Sequence, residues 1–189
     1  SLACTTESRP GTLCDGQMFQ MEVSRPGQIP FGCLLPRELD NLVVVTTGSA
    51  THVGWGAYRQ TPTLMHLAES GAWAVVLARR RGCAPAAVPV DELQQVLVTH
   101  GVMITFFNDS DMADTSGVAA GLQLAGASGL LPNYEAEPGR VLTGTEAAAW
   151  RQQLQERGRA AAEAIDAGLT RGEAARRLIA ALACASPRG

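Results

Sequence analysis

The stretch "NLVVVTTGSATHVGWGAYRQTPTLMHLAESGAWAVVLARRR", residues 41–81, decides what fold to expect. Leu42, Val43, Val44 and Val45 form a continuous apolar, largely β-branched run, which suits a strand buried on both faces, as in parallel sheets. A turn of small residues follows, and a helical pattern then runs over about 61–80. Thr61 suits the N-cap of that helix, with Pro62 at the first helical position. Gly82 suits its stop, and Pro85 and Pro89 forbid its continuation. Strand, turn and helix in this order predict an α/β fold.

The same junction carries the chemistry. A helix start leaves backbone N–H groups unpaired and places partial positive charge where a phosphate or a carbonyl-rich ring would settle. Gly48, Gly54 and Gly56 offer positive φ or a close approach of backbone to ligand. Arg59 suits bidentate pairing with an anion, and His52 suits hydrogen bonding or proton transfer. An ordinary turn with a structural histidine fits the same residues, so spacing leaves both readings open.

Outward from the junction, residues 1–28 are rich in Gly, Pro, Ser and Thr, with one alternating stretch, "QMFQMEV" (17–23), that reads as an edge strand. "RELDN" (37–41) reads as a turn. "VDELQQVLVTH" (90–100) predicts a short amphipathic helix capped by Asp91, with Leu93, Val96 and Leu97 as its apolar stripe. "VMITFF" (102–107) predicts a strand. Beyond it the composition turns to alanine-rich helices, the last of them opened by Thr170 and Glu173 in capping-box spacing.

With 189 residues, 46% apolar and 17% charged, the chain is long and apolar enough to bury a core. A net charge of −3 argues against a nucleic-acid partner. Arg79, Arg80 and Arg81 close a helix, where cations complement the dipole. The five cysteines, at positions 4, 14, 33, 83 and 184, lack zinc-finger or CxxC spacing. Free thiols are expected, a Cys4–Cys14 bridge being the alternative, and no metal site is expected. "SLACTTESRP" lacks the basic start and apolar core of a secretory signal, and no apolar run suits a membrane span, which gives a cytoplasmic expectation.

Residues 28–83 resemble the C-terminal portion of bacterial FAD-dependent oxidoreductases, the large xanthan-lyase-like flavoproteins. The features that carry the resemblance are, in order, Ile29-Pro30, Leu35-Pro36, Asp40-Asn41-Leu42, Ser49 to His52, Arg59, Pro62 and Met65. The resemblance implies the C-terminal part of an FAD-binding, Rossmann-like domain over residues 1–107. It implies cofactor contacts from Gly48, Ser49, Ala50, Thr51, Arg59, Thr61, Pro62, Thr63 and Leu64. His52 becomes the candidate acid/base, with Tyr58 and Arg59 positioning substrate or cofactor. In such enzymes the cofactor supplies hydride chemistry and the protein orients it.

The chain departs from the family in two places. Where the family has Gly-Gln-Ala-Ala-Gly, it reads Ala68-Glu69-Ser70-Gly71-Ala72, followed by Trp73. It also contains no GxGxxG fingerprint, the element that holds the ADP half of FAD. The expectation is a C-terminal part or small subunit that shares FAD with a larger FAD-binding subunit or N-terminal half. A non-catalytic relic with a scaffold role is the alternative.

Residues 108–189 are expected to form a separate helical unit. Phe107, Asp109, Gly129-Leu130-Leu131, Tyr134, Leu142-Thr143 and Glu146 resemble an S-layer-homology repeat, and "LTRGEAARRL" (169–178) repeats its helix start. This implies a packing module or, as a third reading, a cell-wall-binding module. A capped amphipathic helix accounts for the same residues.

Overall fold

The computed structural model describes residues 28–46, 48–111, 113–157 and 160–185. The edge strand expected at 17–23 and the Cys4–Cys14 alternative lie outside the described residues. Among the described residues, six α-helices carry the architecture: α1 (His52–Tyr58), α2 (Thr61–Arg81), α3 (Val90–Thr99), α4 (Val118–Ala127), α5 (Gly144–Glu156) and α6 (Arg171–Ala185). Short 3-10 turns lie at Phe31–Leu34, Pro85–Ala87 and Ala160–Ala164.

The α/β, Rossmann-like architecture expected for residues 1–107 is corrected by this structure. Among the described residues there is no sheet, and the β pairing consists of one isolated antiparallel bridge, Val141 to Thr170. Residues 42–45 do not join a ladder. The Val44 N–H reaches the Leu34 carbonyl at 2.8 Å, and the side chains of Val43 and Val45 press on Gly71 of α2. A Cβ at Gly71 would stand 2.8 Å from Val45 Cγ1 and 3.1 Å from Val43 Cγ1, so this glycine sets how closely the run can lie on the helix. A β-branched run favours extended backbone, but a strand needs a second extended segment beside it. Here its neighbours are a 3-10 turn and a helix.

The strand expected at 102–107 is also a loop, for a different reason. The buried Gln123 of α4 offers its amide oxygen to the N–H groups of Ile104 (2.8 Å) and Thr105 (3.5 Å). One side chain thus does the work of a ladder partner. Val102 and Phe107 are buried at either end of this loop, and Ile104 packs against the cores on both sides of it.

Helix expectations fare better because they rest on local signals. α2 ends at Gly82, in the left-handed region at φ 65°, whose N–H returns to the carbonyls of Ala78 and Arg79. Its N-cap is Gln60, one residue before the expected Thr61, and α3 takes Pro89 as N-cap with Asp91 inside its first turn. Leu93 and Leu97 of α3 pack with Ala74, Leu77 and Ala78 of α2.

The C-terminal helices pack around α4 and α6, which cross so tightly at Gly121 that any Cβ there would overlap the Ala175 backbone. α5 and α6 open with the same device. Thr143 and Glu146 form a reciprocal capping box, and Thr170 and Glu173 repeat it at 3.0 and 3.2 Å. The two helix starts lie side by side, joined by Leu142 N–H to the Leu169 carbonyl and Gly168 N–H to the Leu142 carbonyl. Asp109 accepts the N–H groups of Ala136 and Glu137 at 2.8 and 2.7 Å, which fixes the loop before α5.

Candidate functional site

The residues singled out at 48–64 assemble around α1, an element the sequence reading took for a turn. Thr51 caps it, its Oγ1 accepting the Gly54 N–H at 3.1 Å. Gly54 and Gly56 therefore carry helical backbone, and neither is among the glycines with positive φ. A short helix suits them despite the cost of glycine, because Thr51 satisfies an otherwise orphaned donor. His52 is the first residue of α1, and its side chain lies outside the description. Arg59 caps the C-terminal end of α1 and is exposed.

The 3-10 turn at Phe31–Leu34 holds the loop before α1 in place. The Ser49 N–H donates to the Cys33 carbonyl at 2.8 Å, and Gly48 lies directly against Tyr58. A side chain at Gly48 would overlap the Tyr58 hydroxyl, so the space that glycine leaves open is filled by the phenol. Tyr58 is only 3% exposed and stacks on Trp55, with ring centroids 5.2 Å apart. Leu34 and Leu67 complete this small core, with Ile29, Val43 and Leu64 packed around it.

The Tyr58 hydroxyl is buried without a hydrogen-bond partner among the described residues. Burial pushes its pKa above the ordinary 10.0, and the neighbouring Cys33 thiol adds to the rise. The Gly48 backbone N–H lies close enough to pull the other way without completing a hydrogen bond. The rise leaves the phenol neutral at physiological pH, as an ordinary tyrosine is.

Beside it, Pro30, Gly32, Cys33, Pro36, Arg37 and Ser49 line a cleft of about 480 Å³. Cys33 is a partly buried free thiol there. On the other side of α1, helix α2 begins with Thr61 and Pro62 exposed and Thr63 and Leu64 partly buried. Leu64 N–H already bonds to the Gln60 carbonyl, which leaves the N–H groups of Thr61 and Thr63 without an intrahelical acceptor. Ala50 and Thr51 are exposed in the loop between Ser49 and α1.

Residues 10–97 match the family model for FAD dependent oxidoreductase. The oxidoreductase-like segment covers just under half of the chain and includes the whole junction from Gly48 to Leu64. No curated protein matches the chain, and no solved structure does.

A flavin would be held here unequally. The cleft lined by Cys33, Arg37 and Ser49 offers polar residues to an acceptor-rich ring, but of residues 48–64 only Ser49 lines it, and neither the Tyr58 hydroxyl nor the start of α2 does. The oxidoreductase-like segment lacks the glycine fingerprint for the ADP half. Among the described residues no group of three or more His, Cys, Asp or Glu side chains is placed to hold a metal ion. No helix there is long and apolar enough to cross a membrane.

Sequence reasoning missed two parts of this site. Cys33 and Arg37 lie well before the quoted junction and reach it only through the Ser49–Cys33 hydrogen bond. The signal that could have found α1 was Thr51 followed by "HVGWGAY", a cap ahead of about two helical turns.

Proposed function

We propose that this chain contributes the flavin-ring side of an FAD-dependent oxidoreductase of the xanthan-lyase-like kind, acting as a C-terminal part or small subunit. The observation that carries the reading is the match of residues 10–97 to the FAD dependent oxidoreductase family together with the absence of GxGxxG from the sequence. A larger FAD-binding subunit or N-terminal half supplies the ADP site. Bound flavin would provide the hydride chemistry. In this reading the residues of 48–52 and 61–64 border the ring, Arg59 positions substrate or cofactor, and His52 moves the proton. Tyr58 lies too deep to touch a substrate in this conformation and acts through the loop it packs against. Support for a partner comes from the large apolar side chains exposed in the same half, Met65 at 69% with Leu39, Leu42, Val75 and Val76.

The test is co-expression with the neighbouring open reading frame, checked first for GxGxxG, followed by an absorption spectrum of the purified complex. A yellow complex that releases stoichiometric FAD on denaturation is expected, with turnover lost in His52→Ala. A colourless stoichiometric complex would favour the scaffold reading instead, to which Ala68 and Glu69 at the family's Gly-Gln positions already point. For the C-terminal unit, the paired Thr-x-x-Glu helix starts favour a repeat-derived packing module, and retention on purified cell-wall sacculi would turn that into a binding role.

A further inference from the structure

We propose that the exposed side of α2 is a docking surface for a second copy of this chain, with the two helices crossing antiparallel. The proposal stands on α2 alone and does not depend on the flavin reading above. The inward residues of α2 are taken up by the molecule's own cores: Leu67 by the one around Tyr58, and Ala74, Leu77 and Ala78 by the one shared with α3. The other side of the helix leaves Ala68, Ala72, Val75 and Val76 exposed. The valines supply apolar area to bury, and the alanines let a neighbouring helix come close.

The charges on this side decide the occupant. Glu69, Arg79 and Arg80 are exposed and have no ion pair among the described residues, whereas Arg81 is paired with Glu92 at 2.7 Å. Successive helical residues turn by about 100°, so Ala72, Val76, Arg79 and Arg80 all fall within about 80° of Glu69 around the axis. The helix dipole accounts for arginines at the C-terminal end, but not for an acid on the same stripe less than three turns before them. A second copy crossing antiparallel between Ala72 and Val76 puts Glu69 of each chain level with Arg79 and Arg80 of the other. The operation that relates the two is a two-fold axis, the commonest symmetry of protein dimers. A parallel pair would set glutamate beside glutamate and arginine beside arginine, so charge selects the antiparallel arrangement. The overlap, from Ala68 to Arg80, is about 18 Å long. A contact of that size belongs at the weak end of specific interfaces, so the dimer forms in the micromolar range and dissociates on dilution. Met65 falls beyond the end of the facing helix and, with Leu39 and Leu42, is left for the FAD-bearing partner.

Sedimentation of the full chain over a range of concentrations is the test, with circular dichroism to check that each variant keeps its helix content. The parent is expected to pass from monomer to dimer as concentration rises. Glu69→Arg and Arg79→Glu should each weaken the dimer about five- to tenfold, because the two-fold axis makes every substitution break two ion pairs. The two substitutions combined should restore it, since each reversed charge then faces its opposite across the axis. Val76→Asp, which puts a charge at the crossing, should leave a monomer. A parent that stays monomeric at millimolar concentration would overturn the proposal, whether anionic vesicles or the FAD-bearing partner then proves to cover the stripe. A dimer that tolerates Val76→Asp would overturn it too, as would single reversals that the combined swap fails to rescue.

Discussion

The two halves of the molecule close their loops in different ways. From Val102 onward, the loops are closed by side chains that reach back to the backbone. Gln123 serves two N–H groups, Asp109 two more, and each Thr–Glu pair closes a helix start. Arg171 links the carbonyl of Ala136 to Glu137 and Glu146, and Arg140 pairs with the same two carboxylates. Residues 28–101 have helices of similar quality but leave the 42–45 run beside no strand and Met65, Val75 and Val76 of α2 exposed. The closure in the C-terminal half is incomplete as well, since Ser128 Oγ and Arg171 Nε are buried without a partner among the described residues, Met103 and Val141 are exposed, and the core around Leu122 includes Val98 of α3. A half that leaves apolar surface open gains stability from whatever covers it, which is the physical basis for the proposed partner.

The sharpest break in the comparison is Leu122→Ala. Leu122 is 0% exposed in the C-terminal core, and its truncation should cost about 2–5 kcal/mol in urea unfolding. A loss much smaller than this would mean that the C-terminal core is less close-packed than its burial implies. Next is Gln123→Leu, which removes the acceptor for Ile104 and Thr105 and leaves two part-buried N–H groups to find water. A loss of about 1–3 kcal/mol is expected, with faster amide exchange confined to the 102–107 loop.

In the other half, Gly48→Ala must push Tyr58 from its place. About 1–3 kcal/mol should be lost, and the emission of Trp55 should shift because its stacking partner has moved. Unchanged emission would show that the phenol is not locked under Gly48.

Smaller again is the capping pair. Thr143→Ala should cost about 1 kcal/mol. The Thr143 N–H and hydroxyl hold the Glu146 carboxyl below its ordinary 4.5, and those of Thr170 do the same for Glu173. Because both folded values are depressed, their stabilisation is present above pH 4.5 and is lost as pH falls through the lowered values. An acid titration followed by circular dichroism should therefore show melting temperature falling below pH 4.5, less steeply in Thr143→Ala. The smallest effect expected is that of Leu42→Ser, within about 0.5 kcal/mol, since Leu42 is 41% exposed. A large loss there would mean that the face is covered in the isolated chain.

Local signals were legible along the chain. Gly82 ended α2, Thr170 and Glu173 boxed α6, and the 3.6-residue pattern placed α3, because each depends on residues within one or two turns. Both strands expected in the described part failed because a strand is defined by its neighbour: the 42–45 run lies on a helix and a 3-10 turn, and at 102–107 the Gln123 side chain takes the neighbour's place. The site was legible as a stretch, 48–64, and misread in its backbone. The glycines read as left-handed or ligand-facing became parts of α1 or the seat of Tyr58.

By itself, the sequence determined where the longer helices begin and end, that the chain could bury a core, and that residues 10–97 share a pattern with FAD dependent oxidoreductases. Those properties depend on residues close along the chain, or on the order of residue types. Only the tertiary structure decided that residues 42–45 lie on a helix at Gly71, that Gln123 takes the place of a strand, and that Tyr58 is buried against Gly48 and Cys33. Each of those outcomes is a contact between residues 10 to 30 positions apart, set by which surfaces pack, and packing is decided by three-dimensional neighbours that no local pattern specifies.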